Sequence, residues 1–122
     1  MKTSPTKRTL DYLRKRGYTC AITERWNPFA KIRQDLFGFI DILALHDAKR
    51  IIGIQCTTGA NMAARVTKIR ELPEAVSWAL ATGRIYVIGW RKLKGKEKKA
   101  TWQPRVIELM WKGGWMEFEV EL

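Results

Sequence analysis

Two polar side chains interrupt the most apolar stretch of the sequence, DLFGFIDILALHDAKRIIGIQCTTG, which runs from Asp35 to Gly59. Asp41 lies within the first apolar run and Gln55 near the end of the second. A carboxylate among apolar neighbours is costly unless it has a partner, so Asp41 is either a hydrogen-bonded structural residue or part of a functional site. If the two runs pair as a hairpin, Gln55 lies close to Asp41 across the ladder.

The oxygen atoms that these strands would bring together are the ligands that a hard divalent cation prefers. The Asp41 carboxylate, the Gln55 amide oxygen and the backbone carbonyl of Cys56 would suit Mg²⁺ or Mn²⁺, with water and a phosphate completing the shell. Glu24, on the preceding strand, would add a second carboxylate. Asp35 would add another, unless it only caps its own loop. We therefore expect a metal site at Asp41, Gln55, Cys56 and Glu24.

Apolar periodicity and turn signals predict the elements that must position these residues. Ser4 is a candidate helix N-cap, Pro5 suits the first helical turn, and Gly17 suits a helix end. In chain order we predict a helix that ends before Gly17, a strand from Tyr18, a loop at residues 27–35, strands at 36–46 and 50–57, helices at 58–72 and 73–83, a strand at 84–90, a mobile basic loop at 91–104, and a terminal hairpin of strands 105–111 and 115–122.

This order of elements predicts an α/β fold with a mixed central sheet flanked by helices and a C-terminal β-hairpin. The runs at 36–46 and 50–57 are continuously apolar, as expected for central strands covered on both faces. The helices between the strands at 50–57 and 84–90 form a crossover connection, so these strands are candidates for parallel neighbours.

Bulk properties narrow the class of protein. The chain has 122 residues, of which 46% are hydrophobic, and we expect a single globular domain over residues 1–122. No apolar run reaches about 18 residues and no signal sequence is evident, so we expect no membrane association. The cysteines, Cys20 and Cys56, suit buried free thiols in a reducing, cytoplasmic setting. A single histidine and no Cys-x-x-Cys pair make a zinc site improbable.

Charge indicates a polyanionic partner. Lys and Arg number 23 against 12 Asp and Glu, which gives a formal net charge of +11. The basic residues cluster and alternate with the aromatic residues Trp26, Phe29, Trp90 and Trp102, which favours nucleic acid over a solubilising surface charge. Salt-dependent phosphate contacts are expected. The candidate nucleic-acid-binding residues are Lys31, Arg33, Arg65, Arg70, Lys94, Lys96 and Lys98.

The order helix, strand, strand with Asp41, short turn, strand ending in Gln55-Cys56-Thr57, helix and strand resembles the PD-(D/E)XK nuclease superfamily. The resemblance covers roughly residues 5 to 90. It implies a restriction-endonuclease-like αβββαβ core in which Asp41 matches the motif Asp and Gln55 the (D/E). Small basic members of this kind are similar to Holliday-junction resolvases and to phage-encoded endonucleases.

Two positions depart from the family motif. Gln55 stands in place of an acid and brings no charge, and Thr57 stands in place of the lysine. The superfamily tolerates a lysine supplied from another element, for which Lys31, Arg33, Arg65 and Lys68 are candidates. Lys68 ranks first because Arg65 and Lys68 lie three residues apart on the helix after the motif, although a solvated face or a plain phosphate contact is the alternative.

The resemblance implies a Mg²⁺-dependent (or Mn²⁺-dependent) endodeoxyribonuclease that hydrolyses phosphodiester bonds in branched or duplex DNA. Asp41, Gln55, Glu24 and Lys68 would form its catalytic set. A homodimer would suit a symmetric junction, with Trp102, Trp111 and Trp115 as candidates for the interface. The alternative is a catalytically inactive nucleic-acid-binding module on the same scaffold, and charge alone does not separate DNA from RNA.

Overall fold

A computed structural model describes residues 3–81, 83–94 and 99–122, and its core is a mixed sheet flanked by helices. Six strands form the sheet in the order β1-β4-β5-β6-β7-β8, and β2 and β3 pair separately. The predicted α/β class, with a mixed sheet and a C-terminal hairpin, is confirmed. The helices are Pro5–Arg14 (α1), Met62–Arg70 (α2) and Pro73–Leu80 (α3), and the strands are Thr19–Ile22 (β1), Arg25–Asn27 (β2), Ile32–Gln34 (β3), Ile42–His46 (β4), Arg50–Thr58 (β5), Arg84–Lys94 (β6), Ala100–Trp111 (β7) and Trp115–Val120 (β8).

The predicted signals at both ends of α1 are confirmed. The Ser4 side chain accepts a hydrogen bond from the backbone N–H of Lys7, and Pro5 occupies the first turn. Gly17 adopts a positive φ of 85°, and the next N–H, of Tyr18, donates to the Leu13 carbonyl oxygen. This closure turns the chain out of the helix and into β1.

β5 is the strand around which the sheet is organised. It pairs antiparallel with β4 and parallel with β6, so the predicted parallel neighbours are confirmed. Parallel pairing requires a crossover connection, and α2 and α3 supply it. A turn of 3-10 helix at Gly59–Asn61 joins β5 to α2.

Two hydrophobic cores cover the two faces of the sheet. On one face Leu10 and Leu13 of α1 pack in a cluster with Ile54 and Ile88. On the other face α2 and α3 pack against β6 and β7, with Val66 among the buried residues. Since side chains alternate along a strand, Gln55 faces α2 while its neighbours Ile54 and Cys56 face α1.

The predicted strand at residues 36–46 is wrong in its first half. β4 begins only at Ile42, and the preceding residues form a tight turn in which the N–H of Ile40 donates to the Leu36 carbonyl oxygen at 2.9 Å. Phe37 and Gly38 have φ values of 54° and 84°, which a strand does not accommodate. Asp41 therefore stands directly before β4 instead of in mid-strand.

The predicted loop at residues 27–35 is also corrected, because most of it belongs to a hairpin. β2 and β3 pair antiparallel, from Arg25 opposite Gln34 to Asn27 opposite Ile32. The turn between them covers residues 28–31. We refer to residues 25–34 as the β2–β3 hairpin.

The predicted mobile loop at residues 91–104 is mostly strand. β6 and β7 continue to pair from Arg91 opposite Gln103 to Lys94 opposite Ala100, which prolongs the two strands beyond the end of β5. Thr101 and Trp102 are residue types that favour strands, and they sustain the ladder through the basic segment. Lys96 and Lys98, both predicted nucleic-acid contacts, lie outside the described residues.

Strand directions gather several features at one end of the sheet. β1 ends there, β4 begins there, β5 ends there, and the β6–β7 extension continues beyond it. The β2–β3 hairpin leaves the sheet at the same end, because it lies between β1 and β4 in the chain. We call this the site end of the sheet.

Among the helices that the structure describes, none combines the length and the apolar character needed to cross a membrane.

Candidate active site

Three carboxylates converge at the site end of the sheet. One carboxylate oxygen from each of Glu24, Asp35 and Asp41 lies within 4.8 Å of the others. Glu24 occupies the short link between β1 and β2, Asp35 follows β3, and Asp41 precedes β4. The β2–β3 hairpin therefore returns the chain so that Asp35 meets Glu24. We call these three residues the acid cluster.

Asp41 is the buried member of the acid cluster. Its Oδ2 accepts hydrogen bonds from Gln55 Nε2 at 2.6 Å and from the backbone N–H of Cys56 at 2.7 Å. Its own N–H donates to the Ile54 carbonyl oxygen at 2.8 Å. Asp41 is thus fixed to β5 by both its backbone and its side chain, and the predicted proximity of Asp41 and Gln55 is observed.

The surroundings of Asp41 favour its uncharged form. Burial, a hydrogen bond with Asp35 and the negative charges of Asp35 and Glu24 raise the pKa of Asp41 to about 8, against the opposing effect of the Cys56 N–H. Acids brought this close cannot all carry full charge unless a cation or a proton compensates them. The acid cluster therefore holds a proton at neutral pH in the absence of another cation.

Gln55 carries the one buried side-chain polar atom that has no hydrogen-bond partner among the described residues, its Oε1. Its Nε2 donates to Asp41 and, at 3.5 Å, to Asp35. A buried carbonyl oxygen without a partner costs free energy, so its retention calls for an explanation. An exchange of the two amide atoms by rotation of the terminal amide would present Oε1 to the carboxylates.

A basic cleft of about 740 Å³ adjoins the acid cluster. Asp35 lines it together with three cations, Arg25, Arg33 and Lys68. Arg33 also approaches Glu24, with 3.7 Å between Nη1 and Oε1. The cleft therefore brings cations next to one carboxylate of the acid cluster, Asp35, as a site for a metal ion and a phosphate requires.

The structure separates the remaining predicted residues from this cleft. Arg65 and Lys31 are not among its lining residues. Arg70 forms an ion pair with Glu117 on β8, at 2.8 Å, and so points toward the β8 edge of the sheet. Lys94 lies at the end of the β6–β7 extension.

Cys56 enters the site through its backbone alone. Its N–H binds Asp41, whereas its thiol is buried in the cluster against α1. Thr57 is buried at the position that the family motif gives to lysine. Lys68 and Arg33 are thus the candidates proposed from the sequence that line the cleft beside Asp35.

Two residues of the site were not predicted. The Thr23 hydroxyl donates to the Ile40 carbonyl oxygen at 2.9 Å, and the Thr23 N–H donates to the Asp41 carbonyl oxygen, so Thr23 anchors the start of β4. Arg25 lines the cleft. The only sequence signal for either was its position beside Glu24.

Trp90 is also placed differently from the prediction. It is buried, and its Nε1 donates to Thr9 on α1 at 2.9 Å, so it serves the core and is unavailable to stack on a base.

Comparison of the chain with protein-family models, with curated proteins and with solved structures gives no match. The functional assignment of this site therefore rests on its residues and their geometry.

Proposed function

We propose that this chain is a divalent-metal-dependent endonuclease that hydrolyses phosphodiester bonds in DNA at the acid cluster. The observation that supports this most directly is the convergence of Glu24, Asp35 and Asp41 within 4.8 Å, next to a cleft lined by cations. The formal net charge of +11 favours a polyanionic substrate.

The residues fit a hard divalent cation. Three carboxylates and an amide oxygen form an oxygen donor set of the kind that Mg²⁺ and Mn²⁺ prefer. The partnerless Oε1 of Gln55 and the raised pKa of Asp41 are both features that a bound cation would relieve. Glu24, Asp35, Asp41 and Gln55 would hold the ion.

When bound, the cation would supply charge neutralisation and a more acidic water molecule. The remaining tasks belong to the chain. Lys68 and Arg33, at the edge of the cleft, would bind the non-bridging oxygens of the scissile phosphate and stabilise the charge that develops on them. The hydrogen bond from the Cys56 N–H keeps the Asp41 carboxylate oriented, since the Gln55 amide would rotate to turn its Oε1 toward the ion.

The arrangement supports the resemblance to PD-(D/E)XK nucleases in a restricted sense. Asp41 and Gln55 lie on neighbouring elements and touch, a helix follows β5 directly, and β6 pairs parallel with β5. The acid missing at Gln55 has a candidate replacement in Glu24 or Asp35. The lysine missing at Thr57 has a candidate replacement in Lys68, which lies on α2 and lines the cleft.

A second candidate is a nucleic-acid-binding module without catalysis. The observation that favours it is the pair of substitutions on β5, since Gln55 carries no charge and the buried Thr57 offers no cation. In that case the acid cluster would be a relic held together by the proton on Asp41.

Cleavage assays separate the two candidates. The chain is incubated with a four-way junction, a linear duplex and single-stranded DNA, each in Mg²⁺, Mn²⁺ or EDTA. We expect metal-dependent cleavage that falls at least about a thousandfold in Asp41→Asn, because the ion loses its buried ligand. The matched control is Asp47→Asn, which alters an exposed acid in the β4–β5 turn.

Tight DNA binding without cleavage in any of the metals would reject the nuclease and leave the binding module. Equal loss of activity in Asp47→Asn and Asp41→Asn would also reject the assignment of the site. A parallel substitution, Lys68→Ala, is expected to lower cleavage while leaving the metal affinity within about twofold, since Lys68 is not a metal ligand.

A further inference from the structure

The tip of the β2–β3 hairpin exposes an aromatic ring almost completely. Phe29 is 97% exposed, the largest exposure recorded for a large hydrophobic side chain in the described residues. Trp26 on β2 is 56% exposed and Ile32 on β3 is half exposed. Trp26 pairs with Arg33 and Asn27 with Ile32, so Trp26 and Ile32 lie on opposite faces of the hairpin and do not form one apolar patch. What the hairpin offers is two exposed aromatic rings, Phe29 at its tip and Trp26 on β2, and exposed aromatic rings are faces on which bases can stack.

The hairpin tip is held in a defined conformation. Asn27 Oδ1 accepts hydrogen bonds from the backbone N–H groups of Phe29 and Ala30, at 3.0 and 3.1 Å. Pro28 restricts the backbone at the start of the turn, and Lys31 closes it with a positive φ of 54°. A tip fixed in this way loses little conformational entropy when Phe29 binds a partner.

The position of the hairpin connects it to the acid cluster. Glu24 comes directly before β2 and Asp35 directly after β3, so the two ends of the hairpin are members of the candidate site. Phe29 is the fifth residue after Glu24, which limits the distance between their Cα atoms to about 17 Å at the rise of an extended strand.

Charge on the hairpin identifies the chemistry of the partner. Arg25, Lys31 and Arg33 lie on the same hairpin as the aromatic residues, with Arg33 opposite Trp26, and the hairpin contains no acid between Glu24 and Asp35. An apolar protein surface would not call for three cations around the contact. Aromatic rings interleaved with cations suit a nucleic acid, in which bases offer stacking faces and phosphates offer negative charge.

We infer that the β2–β3 hairpin is a wedge that recognises branched DNA, with Phe29 stacking on an unpaired or terminal base while the cations of the hairpin hold the adjoining phosphates. This inference rests on the proposed function in that it names the DNA structure that the site would select. Insertion of apolar side chains at disrupted base steps costs less than insertion into an intact duplex, which makes the wedge selective for branches.

The reach of the hairpin sets the position of cleavage. A separation of about 17 Å corresponds to about five nucleotides along one strand of a duplex. The scissile phosphate is therefore expected within about five nucleotides of the branch point.

The test is made in EDTA, so that neither metal binding nor cleavage enters the measurement. Fluorescence anisotropy compares wild type and Phe29→Ala on a four-way junction, a linear duplex of the same length and a single strand. A second readout places 2-aminopurine at the branch point, where stacking on an aromatic ring quenches its fluorescence. Wild type is expected to bind the junction more tightly than the duplex and to change the 2-aminopurine signal.

In Phe29→Ala we expect junction affinity to fall by about fivefold to a hundredfold, the 2-aminopurine change to disappear, and duplex affinity to stay within about twofold. The matched control is Phe118→Ala, which removes an exposed Phe from β8 at the far edge of the sheet, 41% exposed. It should leave all three affinities unchanged. Because Phe29 is almost fully exposed, Phe29→Ala should melt as wild type does.

Three outcomes would overturn the inference. The first is that Phe29→Ala leaves the affinity for all three DNAs unchanged or lowers it equally for all three. The second is that wild type is a dimer which Phe29→Ala converts to a monomer. The third is that wild type binds anionic lipid vesicles and Phe29→Ala abolishes this binding. Failure of the proposed nuclease would show instead as junction binding with intact 2-aminopurine quenching but without cleavage in any metal. The two hypotheses can thus fail separately.

Discussion

The acid cluster and the β7–β8 edge of the sheet hold their carboxylates in opposite ways. At the β7–β8 edge, which we call the far edge, three acids each form an ion pair with a different arginine: Glu108 with Arg84, Glu117 with Arg70, and Glu119 with Arg105. At the site end, three acids share one small volume, and of these Glu24 alone has an ion-pair partner among the described residues.

The pKa values follow the same division. The Arg105 guanidinium lowers the pKa of Glu119, so that acid gains from being charged. Burial and neighbouring acids raise the pKa of Asp41 to about 8, so that acid is driven toward protonation. An ion pair on the surface contributes little to the free energy of unfolding, so its removal has a small effect. Carboxylates crowded together repel one another, and a bound proton or metal ion relieves this repulsion. The comparison thus separates acids that a neighbouring cation stabilises in the charged form from acids whose mutual repulsion favours the uptake of a proton.

The largest effect is expected when the acid cluster is neutralised. A Glu24→Gln and Asp35→Asn double variant should weaken Mn²⁺ binding by about a hundredfold or more, because two charged ligands are removed. Isothermal titration calorimetry would measure it. The matched double variant at the far edge, Glu117→Gln with Glu119→Gln, should bind Mn²⁺ as wild type does, and a similar loss there would show that only bulk charge matters.

Gln55→Glu adds a fourth acid to the acid cluster and should increase the difference between that cluster and the far edge. Without metal, we expect the free energy of unfolding to fall by about 1–3 kcal/mol, since another carboxylate is buried beside Asp41. With Mg²⁺, stability should recover and the metal affinity should rise by about tenfold. Denaturant melts with and without metal measure both, with Gln103→Glu on the exposed β7 segment as the control that should show neither change.

The pH dependence of stability is expected to come from the acid cluster. Asp41 has a pKa of about 8 in the folded chain and an ordinary value of 3.8, so between these pH values the folded state keeps a proton that the unfolded chain releases. The contribution of the Asp41 proton to the free energy of unfolding is therefore fully present below about pH 4 and is lost as pH rises toward about 8.

Thermal melts in EDTA from about pH 5 to about pH 9 should fall by several degrees, and Asp41→Asn should flatten the slope. Asp47→Asn should leave the slope in place. A slope that survives in Asp41→Asn would assign the pH dependence to another group.

The smallest effect is expected at the far edge. Arg70→Ala removes a half-exposed ion pair with Glu117 and should change the free energy of unfolding by about 1 kcal/mol or less. The hydrogen bond that Trp115 Nε1 donates to the backbone carbonyl of Arg70 does not depend on that side chain. A loss of several kcal/mol in a urea melt would mean that the far-edge ion pair contributes strongly to stability, and the contrast with the acid cluster would then be wrong.

The sequence was sufficient to predict those features that depend on periodicity and local punctuation. Apolar runs identified β5 and the core of β6, Ser4 and Pro5 identified the start of α1, and turn signals identified the terminal hairpin. The contact between Asp41 and Gln55 followed from the hairpin geometry of β4 and β5. Glu24 was expected near them because it was assigned to the preceding strand.

The errors arose where local signals were overruled. Phe37 adopts a left-handed conformation that aromatic residues rarely take, so an apolar run that suggested a strand turns back on itself instead. Lysines in the segment after Trp90 suggested a loop, but cross-strand pairing carries β6 and β7 through it. The β2–β3 hairpin was missed because its strands are three residues each, too short to show alternation. These are consequences of tertiary pairing, which a single sequence does not display.

The placement of Cys56 has a consequence for kinetics. Its N–H is bonded to Asp41, while its thiol is sealed against α1, where burial raises the thiol pKa well above its ordinary value. Cys20, by contrast, is only half-buried. A thiol reagent should therefore react first with Cys20 and reach Cys56 only when the end of β5 opens. The slower of the two reaction rates then reports how often the chain opens locally at the acid cluster. Any ligand that holds Asp41 in place should lower the reaction rate of Cys56.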